Sequence, residues 1–283
     1  MEPLTDEQKR AVLKEAFDFS GFVVVDSSFL INLANSFSGS YGSYDVDGTL
    51  NEQIDFFERF LQKIPENAFY TDEFLQERVE GVKGLVDLAE RISNVSATHG
   101  RFLNLTNRSS PIVGTKDDVL NRAKNYYHLA CLERAFLTDL IDRSFSPFVE
   151  HYLSEAEVYL DPITAAVLDV SKRKGVSRRF VNPVTGRASS HKFDENDARI
   201  FAKAFCLAGV GDARVLTSDG DFSRIYKTFF QDYRVLSESH GFSQRDGFKQ
   251  NYRFEIAKFL PMGIDYIKML SENHTPQKSF MDF

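Results

Sequence analysis

The sequence predicts an α/β protein, a three-layer α/β/α arrangement in which a parallel sheet of four or five strands lies between helical layers. Three observations carry that reading. Phe22-Val23-Val24-Val25 is an unbroken apolar run, the pattern of a short strand buried on both faces. The run stops on Asp26, and a helical pattern (Phe29, Leu30, Leu33) follows two serines later. The same order returns at Arg214 to Thr217, where a strand gives way to Ser218-Asp219-Gly220-Asp221. Strands that alternate with helices imply parallel pairing, because each crossover must return the chain to the same end of the sheet.

The elements follow in order. Residues 6 to 17 read as an amphipathic helix leading into the first strand. The segment SFSGSYGSYDVDGTL, about residues 36 to 50, is rich in Gly, Ser and Tyr and reads as a flexible loop. Ile54, Phe57, Phe60, Leu61 and Ile64 mark a helix over 51 to 64, ended by Pro65. Ala68 to Thr71 reads as a weak second strand, and 72 to 95 as a long helix with Phe74, Leu75, Val79 and Val82 on its apolar side. After a loop, 116 to 143 is helical, and Pro147 and Pro162 divide two further helical pieces. This block, about 116 to 175, reads as a helical insertion or as a layer over one side of the sheet. The turn-rich VNPVTGRASSHK precedes an Ala-rich helix, FDENDARIFAKAFCLAG, ended by Gly209 and Gly211. Tyr233 to Leu236 is the expected last core strand. From about 237 the chain reads as an extension, with a helix or strand near Phe254 to Leu260. The whole chain, 1 to 283, is read as one domain.

Composition sets bounds. At 283 residues the chain can bury a large core, and 27 Phe with no Trp make phenylalanine the main aromatic of that core. A net charge of −7 argues against a simple basic nucleic-acid binder, yet is compatible with a carboxylate-metal site, which is itself negative. Cys131 and Cys206 lie in helical apolar patterns without metal-ligand spacing, which suits buried reduced thiols and a cytoplasmic protein. The polar, acidic start MEPLTDEQKR is unlike a signal peptide, and no apolar run approaches the ~20 residues of a membrane span.

The chemistry lies in the acids. Asp26, Glu77, Asp197, Asp219 and Asp221 would each sit at a strand's carboxyl end or in the first turns of the helix that starts there. In a parallel sheet with right-handed crossovers these places converge on one rim. Carboxylates gathered there repel unless cations neutralise them, and a set of oxygens without His or Cys selects Mg²⁺ or Mn²⁺. Such a site suits attack of water on a phosphodiester. Each acid also has a plainer reading. Asp26, Asp194 and Asp219 are good N-caps, Glu77 could be a solvated helix residue, and Asp219-Gly220-Asp221 could be a turn. Asp197 resists the plain reading, since it shares a helix face with Ile200, Phe201 and Ala204.

These motifs resemble those of PIN-domain nucleases: an acid after the first strand (VVVDSSFLINL), an acid in the helix after the second (TDEFLQE), an acid in an Ala-rich helix (DENDARIFAKA), and a turn after a later strand (TSDGDF). The resemblance covers roughly 20 to 36, 67 to 80 and 193 to 236, in a chain far longer than the compact toxin-type members. It implies Asp26, Glu77, Asp197 and Asp219 as metal ligands and catalytic residues, with Asp221 as an extra acid. Asp194, Thr217 and Ser218 are implied as support. Glu73 or Glu80 could take the place of Glu77 if the helix began elsewhere. The basic stretch Lys172, Arg173, Lys174, Arg178, Arg179, with Arg187 and Lys192, would meet a phosphate backbone; the plain alternative is a solvated face.

The function expected is therefore a Mg²⁺- or Mn²⁺-dependent nuclease, foremost an endoribonuclease acting on single-stranded RNA, with DNA as the lesser alternative. A second copy of the chain or an inhibitory protein would be its other partners. Two rivals stand beside it. One is a PIN-like module used for binding or scaffolding without turnover. The other is a phosphatase: Asp45-Val46-Asp47-Gly48-Thr49-Leu50 matches the nucleophile motif of haloacid-dehalogenase-type enzymes. In that family the first Asp ends a buried strand, and SGSYGSY cannot form one.

Overall fold

A computed structural model describes residues 5–35, 46–59, 67–99, 116–142, 147–174, 177–181, 188–242, 252–260 and 263–268. Its helices are α1 (Asp6–Phe17), α2 (Ser27–Asn35), α3 (Val46–Arg59), α4 (Asp72–His99), α5 (Lys116–Asp142), α6 (Pro147–Lys174), α7 (Glu195–Leu207), α8 (Gly220–Gln231) and α9 (Tyr233–His240). Its strands are β1 (Phe22–Val25), β2 (Ala68–Phe69), β3 (Ser177–Val181), β4 (Ala188–Lys192), β5 (Ala213–Thr217), β6 (Phe254–Leu260) and β7 (Gly263–Lys268). None of the helices among the described residues is long and apolar enough to cross a membrane.

The main sheet has the order β2-β1-β5-β6-β7, with β2, β1, β5 and β6 mutually parallel and β7 antiparallel at the edge. From β1 the chain goes to β2 on one side and later to β5 on the other. The crevice between β1 and β5 is thus the topological switch point, where open α/β sheets bind ligands.

Alternation along each strand divides the core between the two faces. Val24, Val215 and Ile256 face a cluster built by α6, α7 and α8. Val23, Val25, Leu216 and Ala257 face the other way, onto α1, α2 and the aromatic residues Phe56, Phe74 and Phe136. Helices α3, α4 and α5 pack a third apolar cluster among themselves, around Leu50, Leu88 and Tyr126. Phenylalanine does carry the aromatic packing: Phe201 and Phe205 of α7 each lie within 5.2–5.8 Å of Phe229 and Phe254, centroid to centroid.

Several expectations change. Of the two thiols expected to be buried, Cys206 is, but Cys131 is exposed on α5. Tyr233 to Leu236 is not a strand but the start of α9: Val235 is 67% exposed, Leu236 is buried, and Gly241 ends the helix in the left-handed region at φ 76°. The missing strand comes from the presumed extension, since β6 pairs with β5 over Ala213–Thr217 and β7 folds back on it. The sheet is therefore mixed rather than wholly parallel. Helix α3 begins at Val46 and buries Leu50, so the end of the expected loop is helical; 36–45 lie outside the described residues. The stretch after α6 is an antiparallel hairpin, Ser177 pairing with Lys192, rather than turns alone. Pro162 sits inside a continuous α6. One lost backbone bond, ~3 kcal/mol in a helix interior, is outweighed there by fully buried Ile163, Ala166, Val167 and Val170.

At the amino ends of the strands lies a buried ion pair. Nε and Nη2 of Arg214 (β5) are 2.6 Å from Oε1 of Glu255 (β6), and Nη1 donates to the Ala16 carbonyl at 3.1 Å. The guanidinium also lies 4.2 Å from the Phe19 ring centre and 4.8 Å from that of Tyr266. Arg214→Met should therefore cost up to about 3–5 kcal/mol in denaturant unfolding, because it leaves the buried Glu255 charge only Arg253, whose Nε is 3.5 Å from Oε2. Adding Glu255→Leu should recover much of that loss.

Candidate acidic site at the carboxyl edge of the sheet

The pairing of β1 with β5 sets the site. Val25 is in register with Leu216, and the Asp26 N–H donates to the Leu216 carbonyl at 3.0 Å, so Asp26 and Thr217 lie side by side. Asp26 is 2% exposed and Thr217 is fully buried. Thr217 Oγ1 donates to Asp26 Oδ2 at 2.7 Å, and Ser28 Oγ donates to the same oxygen. Each hydroxyl has one proton to give, so each accepts from elsewhere. Ser28 Oγ accepts from the Ser218 N–H at 3.1 Å, and Thr217 Oγ1 from the Asp219 N–H at 2.9 Å. The turn after β5 is thereby tied to the carboxylate that ends β1.

Helix α4 brings Glu77. It starts cleanly because Thr71, 1% exposed, accepts from the Phe74 N–H at 3.2 Å. Glu77, half-buried and nearly two turns on, accepts a hydrogen bond from Ser27 Oγ. Helix α7 brings Asp197, 4% exposed. Asp194 caps α7, accepting from the N–H groups of Asn196 at 2.9 Å and Asp197 at 3.2 Å, while Asp197 Oδ2 accepts from the Asp194 N–H at 3.1 Å. This is a capping box with an Asp in place of the usual Glu.

Electrostatics show which acids share one neighbourhood. Burial, the Asp197 charge and, more weakly, Glu77 push Asp26 up from 3.8 to about 7, against the hydrogen bonds from Ser28 and Thr217. Glu77 is also raised, first by burial and then by Asp197 and Asp194, while hydrogen bonds from Ser27 and Asn196 oppose the shift. Asp26, Glu77, Asp194 and Asp197 thus lie within electrostatic reach of one another. Asp219 joins through its backbone and caps α8, its Oδ1 accepting from the Asp221 N–H at 2.8 Å. Asp221 is fully buried in the first turn, with Arg224 Nη1 3.6 Å from its Oδ1.

The donor set is all oxygen, which suits a hard divalent cation. Among the described residues, however, no three acidic, histidine or cysteine side chains are arranged to hold one ion together. The carboxylates are engaged instead by hydroxyls and by helix-capping N–H groups.

The alternatives to Glu77 are placed elsewhere. Glu73 is ion-paired with Lys203 of α7 at 2.6 Å, and Glu80 is exposed. Asp47 occupies the second position of α3 rather than the end of a strand, and Asp45 lies outside the described residues. Of the basic stretch, Lys172 and Lys174 are exposed at the end of α6. Arg173 reaches Asp169 at 3.6 Å and Asp232 at 3.2 Å. Asp232 ends the 12-residue α8, so Arg173 is committed about 18 Å from Asp219. Arg178, Arg179 and Lys192 lie on the hairpin, with side chains outside the described set, as is Arg187 altogether. Sequence reasoning missed the partners Ser27, Ser28 and Asn196; the signal for them is a hydroxyl or amide within two residues of a buried acid.

No protein-family model, no curated protein and no solved structure matches this chain. What it does must therefore be argued from the site.

The raised pKa of Asp26 has a consequence for stability. The folded chain holds this proton more tightly than the unfolded chain, so the contribution is full below about pH 4 and lost as pH rises through about 7. In EDTA, Asp26→Asn should melt higher than wild type at pH 8, by an amount bounded at about 4 kcal/mol. The difference should close toward pH 4; melting curves of both proteins across that range check it.

Proposed function

We propose that this chain is a Mg²⁺- or Mn²⁺-dependent nuclease with a PIN-like three-layer architecture, acting foremost on single-stranded RNA as an endoribonuclease. The observation that carries the reading is the gathering of Asp26, Glu77 and Asp197 beside the β1–β5 crevice, where burial first and then the Asp197 charge raise the pKa values of both Asp26 and Glu77. A cluster of buried carboxylates that destabilise one another's charge is a place where a divalent cation gains binding energy. A bound cation would supply water activation and charge neutralisation at a phosphodiester. Asp26, Glu77, Asp197 and Asp219 would hold it, with Asp221 at the edge. Ser27, Ser28 and Thr217 fix the orientation of the carboxylates, and Asp194 holds Asp197 through the capping box.

A second reading has its own support. Hydroxyl and capping bonds already engage Oδ2 of both Asp26 and Asp197 without a cation, as a non-catalytic binding or scaffold module would require, although these bonds do not reach the carboxylate of buried Asp221. Nothing specific favours the phosphatase reading: Asp47 lies in the first turn of α3, and Asp45, its nucleophile, lies outside the described residues.

Asp197→Asn separates the first two. Asn can still accept from the Asp194 N–H, so the variant should fold and melt as high as wild type or higher in EDTA. Added Mn²⁺ should raise the wild-type melting temperature and raise the variant's less, and cleavage of a labelled RNA should fall by at least about a hundredfold. A variant that cuts at the wild-type rate removes the central support for a nuclease. A wild type that neither cuts nor responds to Mn²⁺ favours the scaffold.

The exposed lysines at the end of α6 are proposed to touch the phosphate backbone. Lys172→Glu with Lys174→Glu should weaken RNA binding and lower the slope of log K against log salt by about 0.7 for each phosphate no longer neutralised. Preference among RNA sequences should not change. Titrations at several salt concentrations measure both.

A further inference from the structure

Helices α2 and α4 meet through Ser27 and Glu77 and then run on past the acidic cluster. Between them lies a cleft of about 260 Å³, closed on its other sides by α3 and α5. Its walls are apolar, with Leu30, Phe57, Leu85 and Leu88, and Arg78 and Glu133 line it as well. Leu30 is three residues beyond Ser27, and Arg78 follows Glu77 directly. On α2 the lining of the cleft therefore begins about one helical turn, ~5 Å, beyond the Ser27–Glu77 contact.

Two features show that the space is built into the helix. Gly81 and Gly84 both border the cleft in the middle of α4, where each costs about 1 kcal/mol relative to Ala. A Cβ at Gly84 would meet nothing within 4 Å, and one at Gly81 only the Arg78 guanidinium at 3.6 Å, so packing does not demand glycine at either position. The backbone is open at Gly84, and the Arg78 guanidinium lies over Gly81 one turn before, so a flat group can lie against the helix at Gly84 beside that guanidinium.

Arg78 Nη2 is 2.5 Å from Glu133 Oε2, with side chains 12% and 5% exposed. A guanidinium has five donors and a carboxylate about four acceptor positions, so the pair can offer a donor and an acceptor side by side to a third group. Its net charge is zero, and Asp87 and Arg91 on the same lining also cancel, which disfavours a simple anion. An aliphatic ligand would leave the ion pair desolvated and unrewarded. A nucleobase has apolar faces and an edge of paired donors and acceptors, and stacks on guanidinium planes. The volume is just below the ~300 Å³ where drug-sized sites begin, room for one ring system and not two.

We propose that this cleft binds a single unpaired nucleobase of the substrate strand, next to the phosphodiester at the acidic cluster. The substrate assignment rests on the nuclease reading, but the test does not. Adenosine, guanosine, cytidine and uridine are titrated onto the full chain in EDTA and followed by saturation-transfer NMR. Lacking phosphate, they are not repelled by the acids, and no turnover is involved. Wild type should bind at least one of them saturably. Gly84→Phe, which fills the open space, should weaken that binding at least about tenfold, while Gly84→Ala should keep it within about twofold. Absence of saturable binding to wild type overturns the proposal, as does equal binding by Gly84→Phe; the wild-type arm decides even if that variant does not fold. A chain that cuts RNA yet binds no nucleoside loses the cleft and keeps the nuclease. A chain that binds nucleosides through the cleft and cuts nothing keeps the site and loses the nuclease.

Discussion

Asp26 ends a buried strand at 2% exposure, where burial first, then Asp197 and more weakly Glu77 push its pKa to about 7, and two hydroxyls from separate parts of the chain meet its Oδ2. Much of the carboxyl edge of the sheet is arranged around that oxygen. Ser28 belongs to the helix that follows β1, and Thr217 to the end of β5, 191 residues away from Asp26 in sequence. Because each hydroxyl spends its proton on Asp26, each becomes an acceptor for a backbone N–H of the turn leading into α8. The conformation of that turn, and with it the cap of α8 by Asp219, follows from a demand set by a carboxylate.

The gathering of like charges needs opposition, and the structure supplies it nearby. Glu73 and Lys203 join α4 to α7 at 2.6 Å, with side chains only 10% and 12% exposed. Glu73 is one turn before Glu77 on α4, and Lys203 lies on the helix that carries Asp197. The two helices are thus drawn together by an opposite-charge pair where their other acids repel. At the amino ends of the strands the balance is reversed: Arg214 and Glu255 neutralise each other within the sheet, and Arg214 also holds the carbonyl end of α1. One end of the sheet is closed and neutral, and the other carries the acids.

Where sequence reading went astray, the cause was tertiary. YRVL at 233–236 is apolar at three of four positions and so resembles a strand, but α8 ends at Gln231, and the remaining length suits a short helix capped by Gly241. FEIAKFL carries two charges, which obscures its place as a core strand. Glu255 becomes acceptable there because Arg214 on the neighbouring strand meets it, a pairing that no local pattern reveals. Pro162 marks a break by its own chemistry and is overruled by the buried face on either side of it. Val46 to Leu50 differ from the expected loop for the converse reason: they form the start of α3, where Leu50 finds a core against α4 and α5.

The sequence by itself determined the α/β class, the long helices, the strands at 22–25 and 214–217, and the candidate acids, because these rest on local runs, periodicity and strand-to-helix junctions. Tertiary structure decided which strands are neighbours, that the C-terminal segment completes the sheet, and that Glu77 rather than Glu73 or Glu80 faces the other acids. Those outcomes depend on register and on charges brought together from distant parts of the chain. A carboxylate's position along the chain says where it can sit; its pKa and its partners are set only once β1 pairs with β5 and α4 packs against α7.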